Sequence, residues 1–217
     1  MDLDLRAVRD LAVSLARGGG ELARRASGTG QGLELDDAGV PEGAHDVVRR
    51  IRHRLQVRPD DGTTWRVDPL VGLANFLLGI ELHGVAIGVR DEGGRLVEVL
   101  HDAVSGRTSW AARGLGAWQE ERALRVDGPR GADAVAWAAT RRPEPAFEDA
   151  FGRVLRTGAA TLDWVLAASG RVAAVVDEAD PVAGPLLVSE AGGHVVRVDG
   201  VLVAGRDADR VVARLSS

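Results

Sequence analysis

The chain has 217 residues, of which 45% are hydrophobic, and a formal net charge of -5; that is enough for one substantial domain, or one domain built from two lobes. No run approaches the ~20 apolar residues of a membrane span, and the N-terminus lacks the basic-then-apolar layout of a secretory leader. Cys, Lys and Tyr are absent, which excludes disulfides, thiolate nucleophiles, Schiff-base and P-loop lysines and a phenolic acid.

The 27 basic residues, all Arg, are scattered and outnumbered by 32 acids, so no nucleic-acid partner and no membrane is expected. A cysteine-free chain fits a reducing compartment, and a cytoplasmic location is the expectation.

In chain order, Leu5, Val8, Ala12, Leu15 and Leu22 follow helical spacing between about Leu3 and Arg25. Gly18-Gly19-Gly20 predicts a weak or kinked segment there, since an interior Gly costs ~1 kcal/mol against Ala. A polar loop runs from Ser27 to Gly43. Val47, Val48, Ile51 and Leu55 then mark a second helix, with Arg on its other face. His45 and His53 are eight residues apart on it and do not form an i,i+4 zinc pair. Strands are predicted over Thr64–Asp68, Val85–Arg90, Arg95–His101, Thr108–Ala112 and Ala134–Ala138, with hairpin turns at Asp91–Gly94 and Ser105-Gly106. Pro145–Leu155 and Ala160–Ala168 read as helices, the second with Trp164 in the core. Arg171–Val176 reads as a strand, Val182–Ala191 as a helix stopped by Gly192-Gly193, Val195–Val198 as a strand and Asp207–Leu215 as a closing helix. Asp180-Pro181 has the N-cap and N1 residues of a helix start. Helices and antiparallel hairpins in blocks argue for layered α+β architecture. His101, Asp102 and Ser105 sit at a hairpin end without the elbow that a hydrolase triad needs. His83 and His194 have no evident partners in the sequence.

Asp68-Pro69-Leu70-Val71-Gly72-Leu73-Ala74-Asn75-Phe76 resembles the Asp-Pro-Ile/Leu-Asp-Gly-Thr-x-Asn-Phe signature of the inositol monophosphatase family. Gly114-Leu115-Gly116-Ala117-Trp118 follows in that family's order, and Gly158-Ala159-Ala160-Thr161-Leu162-Asp163 is similar to its Gly-Ser-Ala-Ala-x-Asp helix. Asp180-Pro181-Val182-Ala183-Gly184, with Ser189-Glu190-Ala191-Gly192-Gly193 downstream, resembles the second signature, Ala179 standing in place of its Trp. The resemblance implies a shortened αβαβα sandwich of the inositol monophosphatase and fructose-1,6-bisphosphatase type. It implies one domain over residues 1–217, in two lobes of about 1–135 and 136–217. It also implies a homodimer, and Mg²⁺-dependent hydrolysis of a small phosphorylated ligand.

On that resemblance Asp68 matches the bridging metal ligand, the Leu70 carbonyl a backbone ligand and Asp180 the second-signature ligand. Gly72 and Asp177 match substrate-contacting positions. Val71 stands where the family has its second metal Asp, and Leu73 where it has the water-orienting Thr. The upstream acidic loop is reduced to Asp60-Asp61-Gly62, so Asp60 or Asp61 is the candidate for a missing ligand. Mg²⁺ needs near-octahedral oxygen ligation, and these residues could hold one hydrated ion weakly. The expectation is a degenerate site that is inactive or severely impaired, in a protein acting by binding or assembly. The alternatives are a divergent phosphate monoester phosphatase and a scaffold whose dimer face is the functional part.

Overall fold

The computed structural model describes residues 4–27, 49, 53, 62–127, 134–138 and 151–215, apart from the side chain of Ala26. Asp60, Asp61, His45 and most of the expected second helix lie outside them; Arg49 and His53 are helical and exposed.

The first long amphipathic run forms helix α1 (Leu5–Ser27), unbroken through its glycines. The glycines do not interrupt the helix, and the close approach of α1 to the sheet gives Gly20 a physical reason. A Cβ on Gly20 would stand 2.1 Å from the His101 ring, so this glycine lets the helix lie down on the strands.

Alternating strands and glycine turns then build a six-stranded antiparallel meander: β1 (Thr64–Val71), β2 (Gly84–Asp91), β3 (Gly94–Asp102), β4 (Thr108–Ala112), β5 (Gly116–Gln119) and β6 (Arg122–Ala123). A short helix α2 (Leu73–Leu77) separates β1 from β2. Strand β1 runs beyond its predicted end at Asp68 and slips register between Asp68 and Val71, where Pro69 has no N–H for the ladder.

The second sheet contains β7 (Ala134–Trp137), β8 (Arg153–Leu155), β9 (Ala174–Asp177), β10 (His194–Val198) and β11 (Val201–Gly205), in the order β10-β11-β9-β7-β8. Helix α3 (Ala160–Ala168) joins β8 to β9, α4 (Pro185–Glu190) joins β9 to β10, and α5 (Ala208–Leu215) follows β11. Two expectations need correction here. The end of the predicted helix Pro145–Leu155 is strand β8, paired parallel to β7. The apolar run Val201–Gly205 is a further strand, absent from the sequence expectations, and it completes a hairpin with β10.

Helix α1 packs on β2, β3 and β4; α3 and α4 lie between the sheets; α5 covers β9, β10 and β11. The order helix, sheet, helices, sheet, helix is the expected αβαβα sandwich. The largest apolar cluster fills the central helix layer, with Trp164, Leu187 and Val175 fully buried. Among the described residues no helix is long and apolar enough to cross a membrane.

Candidate functional site

The end of β1 delivers Asp68 into a local turn, where its Oδ1 accepts the Leu70 N–H at 3.2 Å. Burial pushes this carboxyl above the usual range, against the opposing pull of that hydrogen bond. No cation pairs with it among the described residues, so desolvation is not offset as it would be beside a metal or an arginine.

The next residues turn away from oxygen chemistry. Val71 is 2% exposed and belongs to the central cluster with Ala159, Leu162 and Trp164. Gly72 is left-handed at φ +78°, and a Cβ there would lie 2.8 Å from the Leu82 carbonyl and 3.2 Å from Ala159 Cβ. Only glycine fits both the angle and the space. Leu73 packs on the satellite cluster of Ala23, Leu70, Phe76 and Ala103. Asn75 ties this corner together by donating from Nδ2 to the Leu82 and Thr157 carbonyls at 3.0 and 2.8 Å.

Asp180 sits ahead of α4 among three arginines supplied by β1, β2 and β3. Its Oδ2 accepts from Arg66 at 3.3 Å and from Arg90 at 2.8 Å, and its Oδ1 pairs with Arg95. Burial alone would raise its pKa, but Arg90 and Arg95 together outweigh that and bring it below the usual range. The expected N-cap role does not hold: the cap of α4 is Gly184, with Pro185 at the first helical position.

Asp177 is buried at the end of β9. Its Oδ2 accepts from Trp164 Nε1 at 3.0 Å and its Oδ1 from the Ala179 N–H at 2.9 Å. Burial raises its pKa, and these two bonds oppose the rise. The carboxylate expected near a substrate is thus engaged with a core indole.

Among the described residues no group of three or more His, Asp or Glu is placed to hold a metal ion. A family-type Mg²⁺ cluster requires several carboxylate oxygens facing one another. Here Val71 and Leu73 offer none, and Asp180 already faces three guanidinium groups. The described donor set does not fit the cluster.

Three features were missed in the sequence. One is the arginine cluster, whose members come from separate strands. Another is Glu98, 1% exposed on β3, which pairs with Arg95 and accepts the N–H groups of Gly184, Leu186 and Leu187. The third is Asp163, 2% exposed, with its pKa pushed up to about 7 by burial against a Thr157 hydrogen bond. A lone acid inside an apolar strand or helix was the available signal, because a buried charge demands a partner. At the hairpin end, His101 Nδ1 bonds Thr108 Oγ1 at 3.0 Å while Asp102 accepts from Ser105 Oγ at 2.6 Å, so no triad forms. His194 does have a partner, Asp209 at 3.2 Å; His83 meets the Phe76 ring edge-on at 5.1 Å.

The sequence model described as "Inositol monophosphatase family" matches residues 52–216. "Nus factor SuhB" of Haemophilus influenzae is 34% identical over 157 residues, covering 64% of this chain and 58% of that protein. "Inositol-1-monophosphatase" of Mesorhizobium japonicum is 28% identical over 213 residues, covering 91% and 79%. The chain thus spans less than two thirds of the first relative's length. Among solved structures, Mycobacterium tuberculosis SuhB superposes with a TM-score of 0.82 at 26% identity, over 99% of this chain and 98% of that one.

Proposed function

The chain belongs to the inositol monophosphatase family, and on that premise we propose that it is a member with a degenerate metal site, acting by binding or assembly rather than by Mg²⁺-dependent hydrolysis. The observation that carries this reading is Asp180, whose carboxylate pairs with Arg66, Arg90 and Arg95. A divalent cation placed there would have to displace those guanidinium groups and sit against their charge. Burial of Val71 in the central cluster supports the same conclusion, because an apolar side chain stabilises no developing charge. Loss of one electrostatic element of a catalytic site typically costs on the order of 10²–10³ in rate.

In this reading the ligand is a small phosphorylated molecule, drawn by Arg66 and Arg90, whose side chains are 43% and 33% exposed. Self-association into a homodimer is supported by the exposed side chains of Leu77, Leu78 and Ile80 at the end of α2, apolar surface of the kind that partners cover. A second reading, a divergent phosphate monoester phosphatase, is favoured by Asp68, which keeps its family position and pairs with no cation among the described residues.

The deciding experiment is hydrolysis of inositol 1-phosphate with and without Mg²⁺. The expected rate equals that of buffer in both cases, while metal-free binding of inorganic phosphate weakens in Arg90→Gln. Mg²⁺-dependent turnover that disappears in Asp68→Ala would overturn the proposal and establish the second reading.

A further inference from the structure

Strand register sets Gly88 of β2 between Arg66 of β1 and Glu98 of β3. A Cβ on Gly88 would fall 2.1 Å from the Val182 carbonyl oxygen, so this glycine lets the connection from β9 to α4 lie directly on the sheet. Asp180, carried on that connection, reaches arginines from three strands. Its Oδ2 accepts from Arg66 and Arg90 at 3.3 and 2.8 Å, and its Oδ1 pairs with Arg95. Among the described residues the side chains of Arg66, Arg90 and Asp180 make no other hydrogen bond or ion pair. Arg95 is also held by Glu98, and donates to the Pro181 carbonyl at 3.3 and 3.2 Å, so it keeps partners when Asp180 turns away. The Asp180 side chain is 43% exposed, and rotation of that side chain takes it into water. Three guanidinium groups therefore converge on one accessible point, filled by a carboxylate of the same chain.

We propose, resting on the phosphate-binding function above, that Arg66, Arg90 and Arg95 seat the dianion of a phosphate monoester, and that Asp180 is its built-in competitor. Guanidinium forks match phosphate oxygens as they match a carboxylate. The carboxylate brings one charge and two oxygens, whereas a monoester dianion brings close to two charges and three terminal oxygens. The dianion thus answers three guanidinium groups more fully than Asp180 does. Asp180 keeps the advantage of being tethered beside the site, so ligand binds only to the fraction of molecules in which it has swung out. A side chain that fills the site about 90% of the time lowers apparent affinity about tenfold. Asp180 in this role gates the anion site, and its removal strengthens binding.

The test is metal-free calorimetric titration of the 217-residue chain with inorganic phosphate. Asp180→Asn should bind phosphate about tenfold more tightly than wild type, and Arg66→Gln added to it should abolish the gain. Dimethyl phosphate, a monoanion, should bind Asp180→Asn at least about tenfold more weakly than phosphate does. Asp10→Asn makes the same change in net charge and frees Arg9 from its ion pair, and should leave phosphate affinity unchanged. Thermal melting covers the case of an unstable variant: phosphate should raise the Tm of Asp180→Asn more than that of wild type. Phosphate binding to wild type that Asp180→Asn leaves unchanged or weakens overturns the competitor role while the phosphate-binding function stands. An equal gain in Asp10→Asn, or equal affinity for dimethyl phosphate, overturns it too. Absence of phosphate binding and of any phosphate-dependent Tm shift in both wild type and Asp180→Asn overturns the function and the competitor role together.

Discussion

At Asp163 the protein carries a buried acid whose protonation changes in the neutral range. Its pKa rises from an ordinary 3.8 to about 7 on folding, so the native state binds the proton more tightly than the unfolded chain. Stability from this group is therefore present at low pH and falls as pH climbs from about 4 through 7. Asp68 and Asp177 are shifted in the same direction, and comparison with Asp163→Asn isolates the one contribution. Urea midpoints at pH 5 and pH 8 should show wild type losing roughly 2–3 kcal/mol more than the variant between them. Equal losses in the two proteins would contradict the assignment. At the same scale, Val71 and Leu73 were legible as departures from the family signature, because the residues beside them match it. What holds Asp180 was not legible. The Asp-Pro pair has the chemistry of a helix start, and the arginines that claim it lie 114, 90 and 85 residues away in sequence.

The element that depends most on one distant residue is α4. Its cap residue, Gly184, has φ +141°, makes no side-chain cap bond, and could carry no Cβ, which would fall 2.4 Å from Trp164. The donors at this helix end are taken by Glu98 Oε2, at 2.7 Å from Gly184, 2.8 Å from Leu186 and 3.3 Å from Leu187. Glu98 thus locks the central helix layer to β3 and balances Arg95. Glu98→Ala removes the cap and leaves Arg95 with less compensation, at an expected cost of about 3–5 kcal/mol in chemical denaturation. Glu98→Gln keeps the shape and one acceptor and should cost less. A loss below about 1 kcal/mol for the alanine variant would show the cap to be dispensable. The strands of the meander were legible because alternation and glycine turns are local signals. Strand β8 was not: three residues are too few to show a period, and the parallel pairing with β7 that makes them a strand comes from tertiary structure.

At the scale of the molecule, the layers are those of the inositol monophosphatase family, and in the proposed reading two positions that the resemblance assigns to its metals and one that it assigns to its substrate serve other purposes. Val71 has become core, Asp177 holds an indole, and Asp180 holds three arginines. The overall sandwich could be read from sequence because two signatures in order, with matching material between them, constrain the path of most of the chain. The fate of the site could be read only partly, since a substitution shows what is lost but not what replaces it. The most direct test of the degenerate-site proposal is a calorimetric titration of the 217-residue chain with Mn²⁺, standing in for Mg²⁺. No saturable uptake is expected, in wild type and in Asp68→Ala alike. Saturable binding to wild type that vanishes in Asp68→Ala would show that the metal centre survives, and would contradict that proposal.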